Sequence, residues 1–344
     1  MKRITILLII LTQTIIQMAA QDTSNKGTIT LSHQGKETTF AYNEMVKAID
    51  AAVDGDTVYL STGYFQGNFI INKKLAFVGS GADDNKGWDN CTCYEGDISI
   101  NLPENTKYDV RLFDRIYFYK SSVSFNSYID NAVFRKCKWD NTHYGSFLRF
   151  YADVEYILID RSYCSAWVYE AQHIKKIVAR NSILGGAPNV GKNAEIRARF
   201  YNCNINCYNN STEDIGNNKR SVCFYGTFYN CILDPQGNYI TNPNNSEAAT
   251  ILNNCLYGIG KEPLDQGCTL KDCYKYSSGQ SVLALTKEEL EKNKYLGNDG
   301  TIVGCYGGKN PYTLDYSAPT IKNQVHLDKD KKQIQFNIKI TEQQ

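Results

Sequence analysis

Seven side chains standing two residues before a recurring small residue have the types and spacing that chemistry needs: Arg135, Asp160, Arg180, Tyr201, Tyr229, Asn253 and Lys271. Arg199 and Thr227, then Tyr156, Lys176, Arg197 and Tyr225, lie further out in the same phrases. Arginine forks grip carboxylates with two hydrogen bonds, and tyrosine rings offer an apolar face with a polar tip. Gathered into one stripe, Arg135, Asp160, Arg180, Arg197, Arg199, Tyr201, Tyr225 and Tyr229 would suit a sugar chain, above all an acidic one. The competing account is a solvated sheet surface, where tyrosine and mixed charge are common for reasons of packing and solubility. Both accounts require elements that repeat these positions at a fixed distance on one face.

A repeat supplies them. Phe200-Tyr201-Asn202-Cys203-Asn204-Ile205 returns as Phe228-Tyr229-Asn230-Cys231-Ile232-Leu233, and weaker copies place the small residue at Cys137, Ser162, Ser182, Cys203, Cys231, Cys255 and Cys273. Three places earlier stand Phe134, Ile159, Ala179, Phe200, Phe228, Leu252 and Leu270; five places earlier stand Ala132, Ile157, Ile177, Ala198, Gly226, Thr250 and Cys268. Both columns are free of charge, and strand alternation then turns the residues between them outward. Strand-like units of about 20–28 residues that cannot bury an apolar face alone form a solenoid by stacking. Asn181, Asn202, Asn230 and Asn254 precede the small residue. Asparagine tolerates left-handed backbone, so this column predicts a one-residue turn between strands, with side chains able to bond from rung to rung.

The whole chain, 344 residues with 37 basic and 36 acidic, argues against a nucleic-acid partner. Residues 1–20 read as a secretory signal peptide, with Met1-Lys2-Arg3, an apolar run from Ile4 to Ile16 and Met18-Ala19-Ala20 before Gln21; a short anchor is the alternative. No later stretch is apolar for long enough to span a bilayer as a helix, so no membrane insertion is expected after cleavage. Five of the twelve cysteines fall in the small-residue column, which reads as a buried ladder more than as disulfides. Cys91 and Cys93 lie off it, with their redox state open. No Cys-x-x-Cys occurs and His33, His143, His173 and His326 are scattered, so no metal site or cofactor is indicated.

Ahead of the repeats, Tyr42, Met45, Val46, Ile49 and Val53 share one face of an amphipathic helix. The run Ala48-Ile49-Asp50-Ala51-Ala52-Val53-Asp54-Gly55-Asp56-Thr57-Val58-Tyr59-Leu60, followed by Gly63-Tyr64-Phe65 and Ile71-Asn72-Lys73-Lys74-Leu75-Ala76-Phe77-Val78-Gly79, resembles the opening of right-handed parallel β-helix proteins. This pectin-lyase-like group includes pectate lyases and pectin methylesterases. The resemblance implies an all-β, right-handed parallel β-helix solenoid with the helix as its N-terminal cap. The expected layout is cap and first coils at 21–81, a loop insertion at 82–107, coils at 108–310 and a C-terminal β-hairpin segment at 311–344, the last resembling exported bacterial β-helix proteins. Polar insertions at 185–194, 206–221 and 234–248 interrupt the coils, and Asn209, Asn210 and Asn244 fall in Asn-x-Ser/Thr sequons.

Neither enzyme class of the group is matched residue by residue. A lyase needs clustered carboxylates for calcium and a basic residue opposite; an esterase of this fold needs two aspartates on neighbouring rungs beside an arginine. Asp160 with Arg135 and Arg180 comes nearest, with one carboxylate in that column. The expected function is therefore non-catalytic binding of polysaccharide at the cell surface or in the periplasm. A polysaccharide lyase or carbohydrate esterase with an unusual site is the alternative, and a structural or adhesive protein a third.

Overall fold

The computed structural model describes residues 26–83, 87, 90–104, 112–139, 147–165, 167–169, 173–185, 197–206, 213–214, 220–221, 226–235, 250–260, 262–263, 267–312, 320–328 and 333–341. They form an all-β parallel solenoid of three sheets. The long sheet has twelve strands, the second ten and the third five. Each coil of the repeat contributes one strand to the long sheet and, after a single corner residue, one to the second sheet. Among the described residues the third sheet takes strands from only the first five such coils, Phe69–Ile71 to Trp167–Tyr169.

The apolar columns explain the stacking. Phe134 pairs in register with Phe113 and Ile159, Ala179 with Phe200, and Phe228 with Leu252, all parallel. Nearly every residue of the two inward columns is buried, so the solenoid interior is one continuous core. Phe200 stacks on Phe228 at 4.7 Å and 6°, and Phe118 on Trp139 at 4.5 Å and 9°. The corner is the one-residue turn expected: Lys136, Arg161, Asn181, Asn202, Asn230, Asn254 and Asp272 all have φ between 45° and 54°. From Lys136 to Asn254 each corner N–H donates to the carbonyl of the next coil, as from Asn202 to Tyr229 at 2.9 Å, so the ladder runs unbroken round the bend up to Asp272 on the last strand.

Helix α1 (Met45–Ala51) buries Met45, Ala48 and Ile49 beside the antiparallel pair Thr28–His33 and Lys36–Ala41. It is shorter than its sequence pattern, and Val46 and Val53, expected on the same face, are exposed. The stretch 82–107, expected as a loop, is corrected: Thr92–Glu95 and Ile98–Ile100 are strands of the second and third sheets. Its polar flanks hid a pair of inward residues, Ile98 and Ile100, that complete a coil.

Cys137, Cys203, Cys231 and Cys255 are buried thiols, and Cys203, Cys231 and Cys255 sit against the carbonyl two residues earlier at 3.3 Å. Cys91 and Cys93 are buried thiols packed with Ala82 and Tyr117. Burial pushes the Cys137 and Cys231 thiols up, away from the reactive thiolate. A thiol reagent is thus expected to leave these ladder cysteines unlabelled in the native protein and to reach them only on unfolding. Rapid native labelling of Cys231, located by peptide mass mapping, would contradict the buried ladder.

The C-terminal part of the chain turns back along the solenoid. Thr286 and Glu289 make a capping box for helix α2 (Lys287–Lys292). Val282, Leu290, Ile302 and Val303 then pack on Ile232 and Leu256 of the second sheet. Two of the asparagine corners are tied to this strap: Asn181 donates to the Gly307 carbonyl at 2.7 Å, and Asn230 donates to Asn298 Oδ1 at 3.0 Å while accepting from the Asn298 N–H at 3.1 Å; Asn202 Nδ2 is buried without an acceptor. Gly304, at φ 87°, passes so close that a Cβ there would lie 2.4 Å from Asn204 Oδ1. The expected hairpin is present, Thr320–Asp328 pairing antiparallel with Gln333–Thr341. The polar insertions fall largely outside the described residues, as do Asn209, Asn210 and Asn244.

Candidate functional site

On the outer side of the long sheet, parallel pairing sets the chemistry-bearing residues into columns. The one next to the corner reads Asp114, Arg135, Asp160, Arg180, Tyr201, Tyr229, Asn253, Lys271. The stripe drawn from the sequence is therefore brought together at Arg135, Asp160, Arg180, Tyr201 and Tyr229. Arg199 is exposed one column away, in register with Val178 and Thr227. Arg197 occupies the strand position paired with Lys176, and Tyr225 lies outside the described residues, as do His143 and Glu195.

Asp114 was not legible because Ile116, a bulky residue, fills the small-residue position of its coil. The remaining signal was the phrase Phe113-Asp114-Arg115, which matches Phe134-Arg135-Lys136 at every other column. With Asp114 included, the column alternates in sign. Arg135 is bidentate to Asp114, its Nε at 3.0 Å from Oδ1. Asp160 is approached by Arg180 Nε at 3.4 Å and Arg161 Nη2 at 3.2 Å. Burial alone would lower the Arg135 value, but the Asp114 carboxylate more than offsets it and holds the guanidinium above its ordinary range.

This arrangement disfavours carboxylate catalysis. Asp114 and Asp160 stand two strands apart, about 10 Å along the sheet, and the Arg135 guanidinium occupies the space between them. They cannot share a proton, and Asp114, 1% exposed, is closed to a substrate. His173 accompanies Asp153 at 2.9 Å on the far edge of the sheet, remote from this column. Among the described residues no cluster of histidine, cysteine and carboxylate could hold a metal ion.

The tyrosines depart from the geometry anticipated for them. Tyr201 and Tyr229 stack on each other at 5.0 Å and 7°, so each spends one ring face on its neighbour. What the pair presents outward is a doubled edge, able to hydrogen-bond a sugar hydroxyl; it is not a flat platform under a sugar ring. Lys176 lies over the Tyr156 ring at 5.2 Å, extending the mixed aromatic and basic character to the third column.

The corner column continues the charge. Arg115, Lys136 and Arg161 follow Asp114, Arg135 and Asp160 directly, on three successive coils. Over the five long-sheet strands from Phe113–Asp114 to Arg197–Tyr201, with their corner residues, eight side chains are basic and two acidic. The rest of the chain is consequently acid-rich, since the totals nearly balance. Comparison with protein-family models, with curated proteins and with solved structures gave no match to this chain.

Proposed function

We propose that this chain is an exported member of the right-handed parallel β-helix, pectin-lyase-like group, and that the outer face of its long sheet binds an acidic polysaccharide without cleaving it. The observation that carries the reading is the local excess of basic residues, eight against two, on a protein whose overall charge is +1. A polyanion is the ligand class that such a band attracts, since charges of one sign gathered on one surface raise the local potential. The exposed half of Arg180, the exposed Arg199 and the Tyr201–Tyr229 edge add directional donors to that attraction. Export rests on the leader-like residues 1–20, and the group on the opening run from Ala48 to Gly79, where α1 lies against the first coils in the place a cap would take.

Affinity electrophoresis through gels containing polygalacturonate, alginate or a neutral glucan tests the reading. Retardation is expected in the acidic gels only, and Tyr201→Ala with Tyr229→Ala is expected to weaken it about tenfold, the equivalent of one or two lost hydrogen bonds. Equal mobility in all gels would remove the proposal. Appearance of ultraviolet-absorbing unsaturated products, methanol or acetate on prolonged incubation would replace it with a lyase or esterase.

A further inference from the structure

We infer that the corner formed by Arg115, Lys136 and Arg161 is an oxyanion site that seats carboxylate or sulfate groups of the ligand. The inference rests on the polysaccharide reading and gives its charged groups a place. All three residues are in left-handed backbone, at φ 59°, 53° and 49°. The turn itself asks for no charge: Asn181, Asn202, Asn230 and Asn254 make it at φ 45–54° in the same column. Long basic side chains are uncommon in this conformation, so their presence on three consecutive coils calls for a reason beyond folding.

Surroundings supply that reason. Among the described residues, Arg115, Arg135, Lys136, Arg161 and Arg180 surround two carboxylates, Asp114 and Asp160, which are engaged with Arg135, Arg161 and Arg180. Arg115 Nε is buried 3.7 Å from Asp114 Oδ1 and has no hydrogen-bond acceptor. Burial, followed by the neighbouring charges of Arg161, Arg135 and Arg115, holds the Lys136 ammonium below the usual lysine range. The cluster repels itself, and an oxyanion entering it would relieve that repulsion while accepting charge-assisted hydrogen bonds.

The corner is also bounded. From Asn181 onward the strap at Cys305–Gly308 lies over the turn column, and at the other end Gly81 N–H bonds the Arg115 carbonyl at 3.2 Å. Between them, and among the described residues, the corners of three successive coils carry no strap contact, and Arg115 and Arg161 keep 28% and 24% of their side chains exposed, over about 10 Å from the first to the third. That length accommodates the charged groups of two or three successive sugars.

The test uses the triple variant Arg115→Asn, Lys136→Asn, Arg161→Asn, which keeps the turn because asparagine already fills this column four times. Sodium sulfate is expected to raise the unfolding midpoint of the parent protein more than that of the variant at equal ionic strength; the comparison cancels the general stabilisation by sulfate. Titration with polygalacturonate is expected to show at least a tenfold weaker Kd for the variant, and a sulfated glycan compared with polygalacturonate tells which oxyanion is preferred. Parent and variant behaving alike towards both sulfate and polysaccharide would overturn the inference, and it would leave the polysaccharide reading standing if both still bind. A parent that binds sulfate through these residues but no polysaccharide would uphold the corner and sink the broader function.

Discussion

Asp114→Ala is expected to lower the stability of the solenoid by about 3 kcal/mol, because it strands a guanidinium whose partner is buried. Asp114 is 1% exposed and takes both nitrogens of the Arg135 fork, while Arg135 itself is 26% exposed. Its solvated edge keeps the loss at the lower end of what breaking a buried pair costs. Removing both charges with Asp114→Leu and Arg135→Met is expected to cost less than the single change, since Arg135 is then no longer stranded and only the looser, partly solvated Arg115, 3.7 Å from Asp114, loses a carboxylate. Urea unfolding followed by circular dichroism reads both. A single variant within 1 kcal/mol of the parent, or a double variant worse than the single, would show that the alternating column is not an energetic unit.

Asn230→Ala is expected to cost a similar amount, again about 3 kcal/mol, for a different reason. About 1 kcal/mol comes from left-handed backbone that alanine adopts poorly, and about 2 kcal/mol from the two hydrogen bonds to Asn298. Asn230→Gly separates the parts: it frees the turn and loses only the strap, so it is expected to be about 1 kcal/mol less damaging than alanine. Equal destabilisation by alanine and glycine would mean that φ 54° at this corner carries no strain.

Those two residues mark the limits of what the chain reveals before folding. Asn230 was legible as a turn residue because its type repeats at one place in several phrases, and a left-handed corner leaves few choices of side chain. Its partner Asn298 was not, since a contact across 68 residues of sequence leaves no periodic trace. The inward columns were legible for the same reason as the turn: burial on every coil forbids charge. Outward residues obey no such rule, which is why Arg135 and Asp160 were found through the columns beside them and Asp114 was lost when Ile116 replaced the small residue. The expectation of flat tyrosine faces failed because parallel register places Tyr201 against Tyr229, and two rings at coil spacing stack on each other. Residues 92–100 show the remaining weakness of pattern reading, where polar neighbours on both sides disguised a full coil as a loop.

The central claim is that the long-sheet face recognises polyanionic sugar, and calorimetric titration of the intact protein with polygalacturonate and with a neutral glucan, each at rising sodium chloride, tests it most directly. The account predicts binding to polygalacturonate at least tenfold tighter than to the glucan, weakening steadily as salt screens the basic band. Equal affinity for the two polymers, or polygalacturonate binding that salt leaves unchanged, would contradict it.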